Sequence, residues 1–124
     1  MYKWNAVFLI IVMIFISSSV SAGGISPTSP ITYIQVSSSN GGTFVSNCTL
    51  SNGEPTNCIT NPSCNSSKWF FIPKESLYHD AFMQVIIASK VSNSPIRLAG
   101  SGYCNAAPTI PVGQYETLLW LDFK

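Results

Sequence analysis

The chain has 124 residues, 46% of them hydrophobic and 9% charged, with a formal net charge of +1. The hydrophobic share is uneven: 16 of the first 22 residues are apolar, and the remainder has the composition of an ordinary soluble domain. Beyond Lys3, five basic residues (Lys68, Lys74, Lys90, Arg97, Lys124) balance five acidic ones (Glu54, Glu75, Asp80, Glu116, Asp122). No basic patch is available to neutralise phosphates, which argues against a nucleic-acid partner.

Residues 1–22 read as a signal peptide. Lys3 supplies the positive start, Ala6 to Ile16 is an unbroken apolar run of 11 residues, and Val20-Ser21-Ala22 is a small-residue cleavage site. Eleven helical residues span about 16 Å, roughly half the hydrocarbon core of a bilayer. The expectation is export, to a secreted or periplasmic location, with no membrane span after cleavage near Ala22. Residues 23–124 then form a single disulfide-stabilised domain.

In chain order, 23–30 (GGISPTSP) is expected to be loose. Ile31 to Ser37 alternates in the manner of a strand, Asn40-Gly41 marks a hairpin turn, and Thr43 to Leu50 alternates again. From Ser37 to Ser67, 21 of 31 residues are Ser, Thr, Asn or Gly, too polar a stretch to supply much core. Lys68 to Ile72 (KWFFI) is a short aromatic strand stopped by Pro73. Leu77, Tyr78, Ala81, Phe82, Val85, Ile86 and Ala88 then recur at helical spacing, predicting a helix over Glu75 to Ser92. Ser76 is its expected N-cap, and Asn93-Ser94-Pro95 stops it. Ile96 to Cys104 resumes as a strand with Arg97 outward, Asn105 to Gly113 is a Pro-containing loop, and Glu116 to Phe123 is a central or doubly covered strand.

The four cysteines in an exported chain predict two disulfides. Three connectivities are possible; Cys48–Cys58 closing a local loop and Cys64–Cys104 tying the halves together is the expected pair. Their spacing, with His79 as the single histidine, does not suit a metal site, and no cofactor motif is present. His79 beside Asp80 reads as a solvated helix face rather than part of a Ser–His–acid hydrolase, and no carboxylate pair suits glycoside chemistry. The chain is therefore expected not to be an enzyme. Sequons occur at Asn47 and Asn65.

Two surface features suggest binding. A second apolar row on the helix, Met83, Ile87 and Val91, is either an interface with another copy or lies beneath the Pro-containing loop. Tyr33, Trp69, Tyr103 and Asn105 lie among neutral polar residues, the composition that stacks on sugar C–H groups and bonds their hydroxyls.

Three strands, a helix and two strands is the element order of an OB-fold, a five-stranded Greek-key barrel with its helix between strands 3 and 4. With the leader, KWFFIPKESLYHDAFMQVIIASKVSNSPIRLAGSGYC and the closing ETLLWLDF, the chain resembles the receptor-binding subunits of pentameric bacterial toxins. Subtilase cytotoxin and the pertussis- and typhoid-like toxins are the examples; small secreted bacterial proteins share the layout. The resemblance implies a homopentamer, a glycan or glycoprotein receptor and a separate enzymatic subunit. The rival expectation is a monomer of the same fold that binds a protein partner, as an inhibitor or envelope component.

Overall fold

The computed structural model describes residues 23–60, 67–106 and 114–123. Its main strands are β1 (Tyr33–Ser37), β2 (Gly42–Ser46), β5 (Ser67–Pro73), β6 (Ile96–Ala106) and β7 (Gln114–Phe123), with a small hairpin of β3 (Leu50–Ser51) and β4 (Glu54–Pro55). The helix α1 (His79–Ser92) connects β5 to β6. The large sheet has the order β1-β2-β5-β7-β6, antiparallel except where β5 runs parallel to β7. The fold is mostly β with one helix, and the sheet is open and mixed rather than the closed barrel expected from the sequence.

The first hairpin forms where the alternation and Asn40-Gly41 place it, with Tyr33 opposite Ser46 and Ser37 opposite Gly42. Its second strand is buried on both faces. Val45 joins Phe70, Ile72, Ile96, Leu98 and Leu118 in a core closed by Ile86 of the helix. Phe44 packs in a separate layer with Trp69 and Phe71, flanked by Tyr33 and Tyr115. Their rings meet tilted or edge-on, with centroids 4.8 to 6.0 Å apart, the geometry favoured by the ring quadrupole.

The segment 23–30 is not loose. Ser29 and Ile96 exchange both backbone hydrogen bonds at 3.1 Å, Ser26 N–H donates to Leu98 O, and Gly100 N–H donates to Gly24 O. Asn47 anchors it: its Nδ2 lies 2.8 to 3.3 Å from Ser26 Oγ, Pro27 O, Ser29 O and Ile96 O. Backbone pairing of a Gly/Pro/Ser segment leaves no apolar periodicity to read. The polar stretch 37–67 likewise gives more to the interior than its composition promises, burying Phe44, Val45, Cys48 and Ile59. The Cys48–Cys58 disulfide is present. Cys104 is also not a free thiol, but Cys64, its expected partner, lies outside the described residues, as do Asn65, most of the Pro-containing loop and the leader.

The helix begins at His79, four residues later than predicted. Ser76 is not its cap: the Ser76 hydroxyl accepts Tyr78 N–H at 3.3 Å and its carbonyl accepts His79 N–H at 3.1 Å, within a turn. Leu77 and Tyr78 are 94% and 65% exposed, so no packing draws them into a first turn. At the other end Asn93, left-handed at φ 56°, stops the helix as expected, its N–H returning to Ser89 O. The covered stripe also differs from the expected one. Ile86 and Ser89 are buried and Phe82, Met83 and Val85 are partly buried against the core. Ser89 belongs inside because its hydroxyl accepts Ile31 N–H and donates to Ser94 O.

Candidate functional site

A cavity of about 410 Å³ lies where the β1–β2 turn meets the start of the helix. That is within the roughly 300–1,000 Å³ range of small-molecule sites. Its polar lining comes from Ser37, Ser38, Thr43, Lys74 and His79, its apolar lining from Val36 and Met83, and Gly41–Gly42 form part of the wall. The Lys74 backbone N–H donates to Gly41 O at 2.9 Å, which ties the chain after β5 to the hairpin turn.

His79 is not on an open helix face: its side chain is 19% exposed and lines this cavity. Its Nδ1 lies 3.1 Å from Asp80 Oδ1 and its Nε2 3.4 Å from Thr43 Oγ1. With the Nδ1 proton directed to Asp80, Nε2 accepts the Thr43 hydroxyl. This brings a hydroxyl, an imidazole and a carboxylate into sequence, the combination the primary structure could not reveal because Thr43 and His79 lie on different elements. Thr43 is 2% exposed, so its hydroxyl faces His79 rather than the open part of the cavity. The Asp80 side chain is 96% exposed, where water screens its charge.

The four glycan candidates divide. Tyr33 and Trp69 touch, with centroids 6.0 Å apart, but Trp69 is 2% exposed and serves as packing. Tyr33 is half-buried and its hydroxyl donates to Gln35 Oε1 at 3.0 Å. Tyr103, 77% exposed, and the exposed Asn105 lie two residues apart on β6, where Asn105 opposes Tyr115. Ser37, Ser38, Thr43 and Lys74 were not singled out by their sequence context; a turn followed by a histidine-led helix was the available signal.

The apolar helical row also divides. Met83 packs against the core and lines the cavity, whereas Ile87 and Val91 are 49% and 82% exposed. The last strand has exposed apolar groups too. Leu119 and Phe123 are 59% and 49% exposed, and Trp120 lies under the Arg97 guanidinium, 5.1 Å from the ring centroid. Arg97 Nη2 is also 3.1 Å from Asp122 Oδ2. Among the described residues no three His, Cys, Asp or Glu side chains converge on a metal-sized site, and no helix is long and apolar enough to cross a membrane. The chain matches no known family, no curated protein and no solved structure.

Proposed function

We propose that the chain is a secreted, non-catalytic binding module of OB-like topology that takes a neutral glycan and acts as an oligomer. The observation that carries the sugar reading is the cavity beside His79. Its lining brings Ser38, Lys74 and His79 beside the apolar Val36 and Met83, a mainly apolar surface with a few polar groups, which suits a ring that presents a C–H face and some hydroxyl groups. Tyr103 and Asn105 extend the candidate surface on β6. The balance of charge favours a neutral ligand over phosphate or nucleic acid.

The OB-like reading draws on the strand order, the parallel β5–β7 pair, the helix between the third and fourth long strands, and the bridging of 24–29 onto β6. The oligomeric reading draws on Ile87 and Val91, apolar and exposed on a helix that already has a covered side. A pentamer with a separate enzymatic subunit is the fuller form of this proposal. The rival monomer bound to a protein partner uses the same exposed pair, and light scattering of the purified protein separates the two.

The direct test is a glycan array probed with the exported protein, followed by competition with the free monosaccharide of any hit. His79→Ala should weaken retention at least about tenfold, the loss of one to two hydrogen bonds. Thr43→Val, which removes the buried hydroxyl that positions His79 Nε2, should weaken it by less, with the fold retained by circular dichroism in both. Retention of no glycan, or wild-type retention by both variants, refutes the cavity as a sugar site.

A further inference from the structure

Glu116 is the one acidic side chain among the described residues that is fully buried, at 0% exposure. A carboxylate in that position requires hydrogen-bond donors or a counter-charge. Its Oε2 accepts Gly24 N–H at 2.8 Å and its Oε1 accepts Gly102 N–H at 2.6 Å. Gly102 presents that N–H from a left-handed conformation, φ 94°, at an irregularity in the β6–β7 register.

The chain just before Gly24 is fitted to the same place. A Cβ on Gly23 would lie 1.8 Å from Gly100 O and 3.0 Å from Gly102 N, so only glycine is accommodated. Gly23 N is one peptide unit from Gly24 N, which puts it within about 6.5 Å of the carboxylate by standard bond lengths. Gly23 is also the residue that cleavage after Ala22 leaves at the amino terminus.

The geometry points to an ammonium site: the amino terminus released at Gly23 pairs with the buried Glu116 carboxylate and latches segment 23–29 onto β6. In the hydrolysis, catalysed by an exporting peptidase, water adds to the Ala22 carbonyl carbon and the C–N bond to Gly23 breaks. Ala22 leaves as a carboxylate, and the Gly23 nitrogen takes up the protons that make it an ammonium. A neutral amide nitrogen thereby becomes a cation beside a carboxylate, so processing adds a charge pair to a segment that backbone pairing and Asn47 already hold on β6. The inference rests on the export reading of residues 1–22.

Among the described residues, few other titrating side chains belong to the elements packed at this point. Segment 23–29 has no ionisable side chain. The ionisable side chains of β5, β6 and β7, apart from Glu116, are Lys68, Arg97, Tyr103, Cys104, Tyr115 and Asp122. Arg97 and Asp122 pair with each other, Lys68 lies over the Trp69 ring, and Cys104 is disulfide-bonded. The charged side chains of α1, Asp80 and Lys90, are exposed.

The test uses the full chain exported by its own leader. Intact mass fixes the terminus, and nitrogen-detected NMR titrates its amine. The expected terminus is Gly23, with an amine pKa raised by about one unit or more above the ordinary value near 8. Because the folded pKa is raised, the latch contributes fully below about pH 8 and is lost as pH rises through the folded value. Selective conversion of the terminal amine to an uncharged carbonyl should abolish that pH dependence and lower the urea midpoint. In Glu116→Gln the amine should titrate normally; if that variant does not fold, the converted wild type decides. A terminus at Gly23 with an unshifted amine, or a urea midpoint unchanged by conversion, overturns the latch alone. A terminus at another residue overturns the latch together with the cleavage assignment.

Discussion

Truncating Asn47 tests how the amino-terminal segment is held. Its amide offers two N–H donors to four acceptors, Ser26 Oγ, Pro27 O, Ser29 O and Ile96 O. Asn47→Ala removes both donors but strips none of the three carbonyls completely. Pro27 O keeps the Ser26 hydroxyl, and Ser29 and Ile96 keep each other's N–H groups. The full penalty of a stranded buried acceptor is therefore avoided. Two net hydrogen bonds at about 1 kcal/mol each, with some lost packing, give a destabilisation of about 2–3 kcal/mol. Asn47→Asp is nearly the same size yet worse, because a carboxylate meets three carbonyl oxygens at a position 1% exposed; about 3–5 kcal/mol is expected. Urea unfolding measures both, and hydrogen exchange at the Ser26, Ser29, Ile96 and Leu98 amides should report faster local opening. An Asn47→Ala variant within about 0.5 kcal/mol of wild type, or an Asp variant more stable than the Ala one, would show that the segment is held by something else.

Replacing Cys48 and Cys58 together by serine opens a loop of sequence separation 10, and loop-closure entropy sets the cost near 3 kcal/mol in the chain-entropy account; the urea midpoint of the double variant checks it. On the helix, Ile87→Glu and Val91→Lys should shift the mass seen by light scattering while leaving the melting temperature within a few degrees. Met83→Glu should instead lower it strongly, because Met83 packs on the core. Expressed in a glycosylating host, the folded product should carry no sugar on Asn47, whose Nδ2 is engaged and buried; peptide mass mapping decides.

The sequence was most legible where one local signal governed one element. Asn40-Gly41 made the first hairpin, Asn93 and Pro95 ended the helix, and Ile96-Arg97-Leu98 alternated in, out and in. It was least legible where the determining partner lay far along the chain. Ser89 reads as a polar interruption of an apolar helix until Ile31 N–H is placed 3.2 Å from its hydroxyl. Asn47 reads as one polar residue among many until four acceptors from two other segments surround it. The β3–β4 hairpin had a readable signal in Asn52-Gly53, both at positive φ, hidden within a uniformly polar stretch. The cavity combines both cases. His79 stood out as the single histidine, but its surroundings depend on the helix starting four residues late, at the point where Thr43 of β2 can reach it.

The two strands at the heart of the sheet, β2 and β5, are buried on both faces, which limits what they can offer a ligand. The helix covers one side of β2 and β5, and the aromatic layer occupies the other, so those strands offer no open face. Accessible groups lie instead on β7, where Leu119, Trp120 and Phe123 are exposed, and at turn tips, the start of the helix and the irregular end of β6. Such places are mobile in many proteins, but the cavity is lined by parts of rigid elements: Thr43 from a fully buried strand, Met83 from the packed side of the helix, and Lys74 directly after β5, its backbone tied to Gly41. Groups held this way lose little freedom when a ligand arrives. Under the proposed glycan reading, even a few hydrogen bonds to a neutral ring can then produce useful affinity, because less of their free energy is spent on ordering the site. Repetition of the site in an oligomer would multiply a weak single-site affinity through effective concentration. For a small, nearly neutral domain with no strong charge to recruit a partner, pre-organisation and multiplicity are the physical routes to retention, and the exposed Ile87–Val91 pair is where the second of them is open to test.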